Sequence, residues 1–234
     1  MNKEEFINEI EKMGINITLE QLNLLDKFYE LLISWNEKIN LTTITNYEDV
    51  YLKHFYDSLT LYKAVNLNDS LSLCDVGSGA GFPGIVLKIC FPNLNITLVD
   101  SLQKRVNYLN EIIKELGLTG IEAIHTRMEE FSRNSIEKFD VITARAVANM
   151  NVLLEISVNA LKVNGHIILM KANCDDELQN SSNALKVLNC EILDINKFSL
   201  PKENSNRTII DIIKKGKTNS KYPRNIDKIK KLPL

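Results

Sequence analysis

The residues best placed to do chemistry lie in one short run, Cys74-Asp75-Val76-Gly77-Ser78-Gly79-Ala80-Gly81-Phe82-Pro83-Gly84. Glycine turns a backbone sharply and lets a ligand rest directly against it. The first amides of a helix attract an anion or a carboxylate, and Pro83 suits the first turn of one. Glycines at 77, 79 and 81 give the spacing Gly-x-Gly-x-Gly. The dinucleotide fingerprint needs glycine where Phe82 stands, and a P-loop needs a Gly-Lys-Ser/Thr that does not follow. Asp100 lies 23 residues past Gly77. A carboxylate about 20 residues beyond such a loop is the usual partner of ribose hydroxyls. The alternative task for Asp100 is to cap the helix from Leu102, which Ser101 can do equally well. Farther on, Met128 and Glu129 follow a third strand and are expected to border the adenine of a bound nucleoside. Glu129 otherwise reads as a helix-start acid, favoured by the dipole.

These residues need a scaffold that presents strand ends together. From residue 71 short apolar runs alternate with helical periods. Strands are expected at Leu71–Val76, Ile96–Asp100, Ile121–Thr126, Phe139–Ala144, His166–Lys171, Cys190–Phe198 and Arg207–Ile213, and helices near 82–90, 102–116, 147–161 and 175–188. Such alternation means crossover units, hence an α/β fold with a mostly parallel seven-stranded sheet and helices on both faces. The last two strands have only a Pro201-containing loop between them, so they should form an antiparallel hairpin. Residues 1–65 carry helical periods alone. Phe6, Ile7, Ile10 and Met13 mark one helix, and Thr18 with Gln21 forms a capping box for a second that runs to about Lys38. A third is expected over roughly 47–65. The chain thus divides into a helical extension (1–65), a catalytic domain (66–215) and a basic tail (216–234).

Composition narrows the class. The 234 residues are 44% hydrophobic and 25% charged, ordinary for a water-soluble globular protein. No apolar run spans a bilayer and the polar N-terminus lacks a signal-peptide core, so a cytoplasmic protein with no membrane partner is expected. Cys74, Cys90, Cys174 and Cys190 include no Cys-x-x-Cys pair, which argues against a zinc ribbon or redox motif and for inert core thiols; no metal site is expected. Residues 214–234 hold eight Lys or Arg against one acid, so the remainder carries a net −9 beneath the overall −2. A basic tail on an acidic body suits a localised anionic partner, or is simply a solvated terminus.

The Gly-x-Gly-x-Gly spacing between strand and helix resembles the first motif of Rossmann-like class I methyltransferases, which implies S-adenosyl-L-methionine as cofactor. The fourth strand ends in Thr143-Ala144-Arg145-Ala146, where the transferred methyl should face. Neither the Asn/Asp-Pro-Pro-aromatic tetrad of exocyclic-amine methylation nor a cysteine nucleophile stands there. Arg145 accepts no proton at neutral pH. Guanine N7 needs no base, because it attacks with a lone pair and bears no proton, so alignment supplies most of the catalysis. Arg145 is expected to hold the cofactor carboxylate, a phosphate or guanine O6, or else to form a structural salt bridge.

Taken together, Trp35-Asn36 with Asn40-Leu41-Thr42, His54-Phe55-Tyr56-Asp57-Ser58, the glycine run, Val99-Asp100-Ser101 with Lys104-Arg105, Thr143-Ala144-Arg145-Ala146, Lys171, Arg207 and Tyr222-Pro223-Arg224 resemble, in order, the bacterial 16S rRNA guanine-N7 methyltransferases of the glucose-inhibited division protein B family. The resemblance covers about residues 20–224. It implies a donor site at Gly77, Phe82, Met128, Glu129 and Arg145, to which the loop reading adds Ser78, Gly79, Gly81 and Asp100. It implies one guanosine in a decoding-region loop of 16S rRNA, naked or within a 30S particle, as substrate. Lys171, Arg207 and Arg224 then make a phosphate-binding rim with the tail, and Arg145 and Lys171 position the reactants without acting as a base. Lys171 reads equally as a snorkelling strand-end lysine. His54 and Asp57, three residues apart, are expected to pair and lock the extension onto the domain. The family often has Ala at the position of Met128, and its tail is usually richer in Gly and Pro than 225–234. A monomer is expected. The competing readings are a small-molecule methyltransferase on the same fold and a noncatalytic binding module.

Overall fold

Strand residues alternate between two apolar faces, and each face buries its own set of helices. In the computed structural model, which describes residues 1–203 and 205–234, the strands are β1 (Ser72–Val76), β2 (Asn95–Asp100), β3 (Ile121–His125), β4 (Phe139–Arg145), β5 (Leu161–Lys171), β6 (Cys190–Ser199) and β7 (Asn206–Lys214). They form one sheet in the order β3-β2-β1-β4-β5-β7-β6. β1 to β5 pair in parallel, whereas β7 inserts antiparallel between β5 and β6. The expected hairpin is therefore β6–β7, with β7 as its inner strand.

Leu73, Ile168 and Ile209 face one core, and their neighbours Cys74, Leu169 and Ile210 face the other, as the two-residue period of a strand requires. The first core is covered by α1 (Lys3–Glu11), α2 (Leu19–Ile39), α5 (Gly84–Cys90), α6 (Gln103–Glu115) and an irregular helix over 47–63. That helix passes from α3 (Tyr47–Val50) through a π-helical stretch, Tyr51–Tyr56, into α4 (Asp57–Leu59) and a 3-10 turn, Thr60–Lys63. The second core is covered by α7 (Met128–Asn134), α8 (Met150–Ser157), the short α9 (Asp175–Gln179) and α10 (Ser182–Val187), and α11 (Ile226–Lys231). Phe6, Phe28 and Phe55 of the N-terminal helices lie in the same cluster as Ile85 and Leu98 of the sheet domain.

The expected elements recur with shifts of a residue or two, apart from five. β5 starts five residues early, and the helix expected at 147–161 is shorter at both ends, Met150–Ser157, with a turn between it and the strand. The helix expected at 175–188 is broken at Asn180 and Ser181, between α9 and α10. α7, hinted at only by the alternative reading of Glu129 as a helix-start acid, and α11 were not among the expected helices. No helix among the described residues is long and apolar enough to cross a membrane. All four cysteines are free and buried, and burial pushes the Cys90 and Cys190 thiols up to about 12.

Candidate functional site

The sheet order reverses at β1, whose neighbours are β2 and β4. A crevice at the carboxyl ends of such strands is where open α/β sheets take ligands. The glycine loop leaves β1 at this point. Gly77, Gly79 and Gly81 have φ of +68°, +57° and +92°, values that side chains disfavour. A Cβ at Gly77 would lie 2.7 Å from Val147 Cγ2. The Gly77 amide donates to the Val99 carbonyl (2.7 Å) and the Gly79 amide to Asp100 Oδ2 (3.0 Å). Asp75, fully buried below the loop, accepts from the Gly84 amide through Oδ2 (3.0 Å), while its Oδ1 has no partner. Burial pushes its carboxyl up to about 6.

Beside the loop opens a cleft of about 220 Å³. Val76, Val99, Val147, Val152 and Ile156 make its apolar lining, and Gly77, Ser101, Met128 and Glu129 face it. Glu129 is buried, and its Oε1 finds no partner. A buried carboxylate oxygen without a donor is costly unless a ligand supplies one. Three of the nine donor-site residues expected from sequence, Gly77, Met128 and Glu129, thus line the cleft.

The other six stand behind it. Ser78 Oγ donates to the Asp75 carbonyl (3.0 Å). Asp100, almost fully buried, also accepts from the Leu102 amide (2.9 Å) and pairs with Arg105 (3.6 Å). The helix that follows has Leu102 at its N-cap and no side-chain cap, so Asp100 anchors the residue before the helix instead of capping it, and its carboxylate stitches the glycine loop to β2. The Phe82 ring turns away into the junction with the N-terminal helices, stacked on His54 (centroids 4.3 Å apart, 16° between planes). The Arg145 guanidinium lies 5.1 Å from the centroid of the same ring. It donates to Asp57 Oδ2 (3.2 Å), to the Lys53 carbonyl (3.3 Å) and to His54 Nδ1 (3.3 Å). Asp57 Oδ1 accepts from Arg207 Nε (3.0 Å). One carboxylate therefore bridges two arginines from β4 and β7, and the salt-bridge alternative for Arg145 describes its contacts.

Comparison with known proteins decides the family. The model of the family described as rRNA small subunit methyltransferase G matches residues 21–209. Proteins named ribosomal RNA small subunit methyltransferase G from Geobacillus sp. (strain WCH70) and Bacillus cereus (strain B4264) are 47% and 46% identical over 237 residues, covering all of this chain and 100% and 99% of theirs. This chain belongs to the rRNA small subunit methyltransferase G family. A SAM-dependent methyltransferase from Aquifex aeolicus has the same fold at 17% identity, with a TM-score of 0.55 over 77% of this chain and 98% of that one. M. jannaschii TYW2, solved in complex with AdoMet, gives a TM-score of 0.51 at 14% identity over 67% and 74%. The fold is that of class I methyltransferases.

Within this family member, the expected His54–Asp57 pair does not form; each side chain binds Arg145 instead, so the lock on the helical extension runs through the arginine. Since Arg145 only donates, His54 Nδ1 accepts and Nε2 carries the proton, 3.0 Å from Thr42 Oγ1. Burial, and secondarily the Arg145 charge, push the His54 imidazole down from 6.5 to about 3. The unfolded chain then binds a proton below 6.5 that the folded chain refuses until about 3, so stability is lost as pH falls through that window. Urea unfolding of wild type should lose about 2 kcal/mol more than His54→Gln between pH 6.5 and 4.5. Parallel curves would remove His54 from this account.

The cations expected to form an RNA rim are not brought together. Lys171 donates to the Ala148 carbonyl (2.6 Å) and to Glu177 (2.9 Å), and only a tenth of its side chain is exposed. Arg224 is tied to the fully buried Glu155. Each is held by a carboxylate because its stem is buried where an unpaired charge would be expensive. Arg207, though paired with Asp57, borders an open pocket of about 360 Å³ with Lys197 and Asn206. Ile226 and Lys230 of α11 line the same cleft as Gly77 and Glu129 and were not among the expected site residues. Their signal was Asn225 as an N-cap ahead of Ile226 and Ile229 at helical spacing, hidden under the charge of the tail.

Proposed function

We propose that the chain transfers a methyl group from S-adenosylmethionine to N7 of one guanosine in the decoding-region loop of 16S rRNA, acting in the cytoplasm as a monomer on naked rRNA or a 30S particle. The observation that carries this reading is the cleft at the switch point, where Gly77 lets a ligand touch backbone and Glu129 holds a buried, unpartnered acceptor. The cofactor fits this chemistry, since its adenosine offers hydroxyl and amine donors to that acceptor. It supplies an electrophilic sulfonium methyl.

The residues around Arg145 support a reaction without a general base. Both His54 nitrogens and both Asp57 oxygens are engaged. When bound, the cofactor would offer that methyl to the guanine N7 lone pair and would be left as a neutral thioether. No proton leaves in this step. Arg145 keeps Phe82 and the loop in place, Asp100 holds the loop to β2, and Lys171 fixes Glu177 against the start of α8, where the Met150 amide donates to it. Arg207, beside its open pocket, is the proposed RNA contact.

Incubation of 30S particles from cells lacking the protein with labelled S-adenosylmethionine should yield a single 7-methylguanosine in 16S rRNA, read by mass spectrometry of nuclease fragments. Gly77→Val, which pushes a side chain into Val147 and the cleft, should abolish that product and donor binding together. Label on an exocyclic amine, or only on small molecules, would overturn the assignment.

A further inference from the structure

The C-terminal segment was expected to be a solvated or RNA-facing arm, yet it is docked. Tyr222 and Ile229 are buried in the second core. Glu155 Oε1 accepts from the Arg224 amide (2.9 Å) and Nε (2.7 Å), and Oε2 from Nη2 (2.6 Å). Arg133 donates to the carbonyls of Pro223 and Arg224, both at 3.0 Å. Asn151 donates to the Leu234 carbonyl (2.7 Å). These partners sit on α7 and α8, the two helices that also present Met128, Glu129, Val152 and Ile156 to the cleft. The segment therefore spans the helices that form the cleft's walls. It brings Ile226 and Lys230, one turn apart on α11 and so on one face, into the lining.

Resting on the cleft reading above, we infer that this segment is a wall of the donor site and that Lys230 binds the adenosine half of the donor. Lys230 is exposed, and among the described residues no ion pair or hydrogen bond engages its ammonium. It shares the cleft with Glu129, whose Oε1 is unpartnered, and no ion pair links the two. A free donor and a free acceptor facing one cavity suit a nucleoside, which has ring nitrogens and ribose oxygens for the ammonium and hydroxyls and an amine for the carboxylate. In the donor's other half two cations, the sulfonium and the ammonium, would repel a lysine against one carboxylate that would attract it, and Lys230 shares its lining with Glu129, so the inference places it at the neutral adenosine half.

Calorimetric titration of the full chain tests this with S-adenosylmethionine, S-adenosylhomocysteine and adenosine. Lys230→Ala should weaken all three by a common factor of about three to ten, with Lys230→Arg within about twofold of wild type. Ile226→Ala should weaken all three while the unfolding midpoint stays near wild type. Wild-type affinity in both alanine variants overturns the inference, as does a loss confined to the two amino-acid-bearing ligands. An unchanged donor Kd with a raised KM for 30S particles makes the segment an RNA arm and overturns it too. If wild type itself binds none of the three, the cleft reading falls and the inference with it.

Discussion

Asp57→Ala is expected to destabilise the protein by about 3–5 kcal/mol, the cost of breaking a buried ion pair from one side. For a chain of this size that lowers the unfolding midpoint by about 10 °C. Asp57 has 7% of its side chain exposed, and Arg145 and Arg207 have 15% and 19%. Its two oxygens answer two guanidinium groups, so alanine leaves two half-buried cations beside each other with only neutral acceptors. The Lys53 carbonyl and His54 Nδ1 remain for Arg145, and Ser205 Oγ and the Asn206 carbonyl for Arg207. Asp57→Asn keeps the volume and one acceptor but not the charge, and should fall between wild type and alanine. Because Arg145 comes from β4 and Asp57 from the helix over 47–63, hydrogen exchange should rise in that helix before it rises in the sheet. A loss below about 1 kcal/mol in urea unfolding would mean that the bridge is solvated and contributes as little as a surface pair.

Glu155→Ala should cost about 3 kcal/mol, at the lower end of the same range, because Arg224 can swing into solvent once released. Glu155 is wholly buried, and every one of its three hydrogen bonds goes to Arg224. The local consequence is larger than the global one: amides over 216–234 should lose exchange protection, and donor affinity should fall with them because Ile226 and Lys230 leave the cleft. Asp57 and Glu155 act on opposite faces of the sheet, so the double variant should show the sum of the two losses. Protection over 216–234 that survives Glu155→Ala would show that Ile229 and Tyr222 hold the segment by packing alone.

The strands were legible because each is a short apolar run between polar breaks, and parallel strands buried on both faces read continuously. The glycine loop was legible because three positive φ values demand glycine. β5 was read short at its start because Lys162, Asn164 and Gly165 interrupt its apolar run; the ladder with β4 shifts register across these residues and holds the strand's first residue through the pair Leu161–Phe139. The partners of Arg145, Lys171 and Arg224 were not legible. Asp57, Glu177 and Glu155 lie 88, 6 and 69 residues away in sequence, and net charge says nothing about which acid meets which base. The tail misled for the same reason: its charge is visible in composition, whereas the two isoleucines that dock it are few.

The stretch Tyr51–Tyr56 winds more widely than its flanks, and it is here that the Lys53 carbonyl and His54 ring turn toward Arg145. A wider turn accommodates one residue more than the regular spiral would. Deleting one position from this stretch would restore regular winding and leave the flanks, Asp57 included, nearly in register, while the Lys53 carbonyl and the His54 ring, which sit on the wide turn, would lose their placement toward Arg145. Length here is thus as constrained as identity, and a homologue shortened by one residue in this stretch would have to find other neutral acceptors for the guanidinium of Arg145.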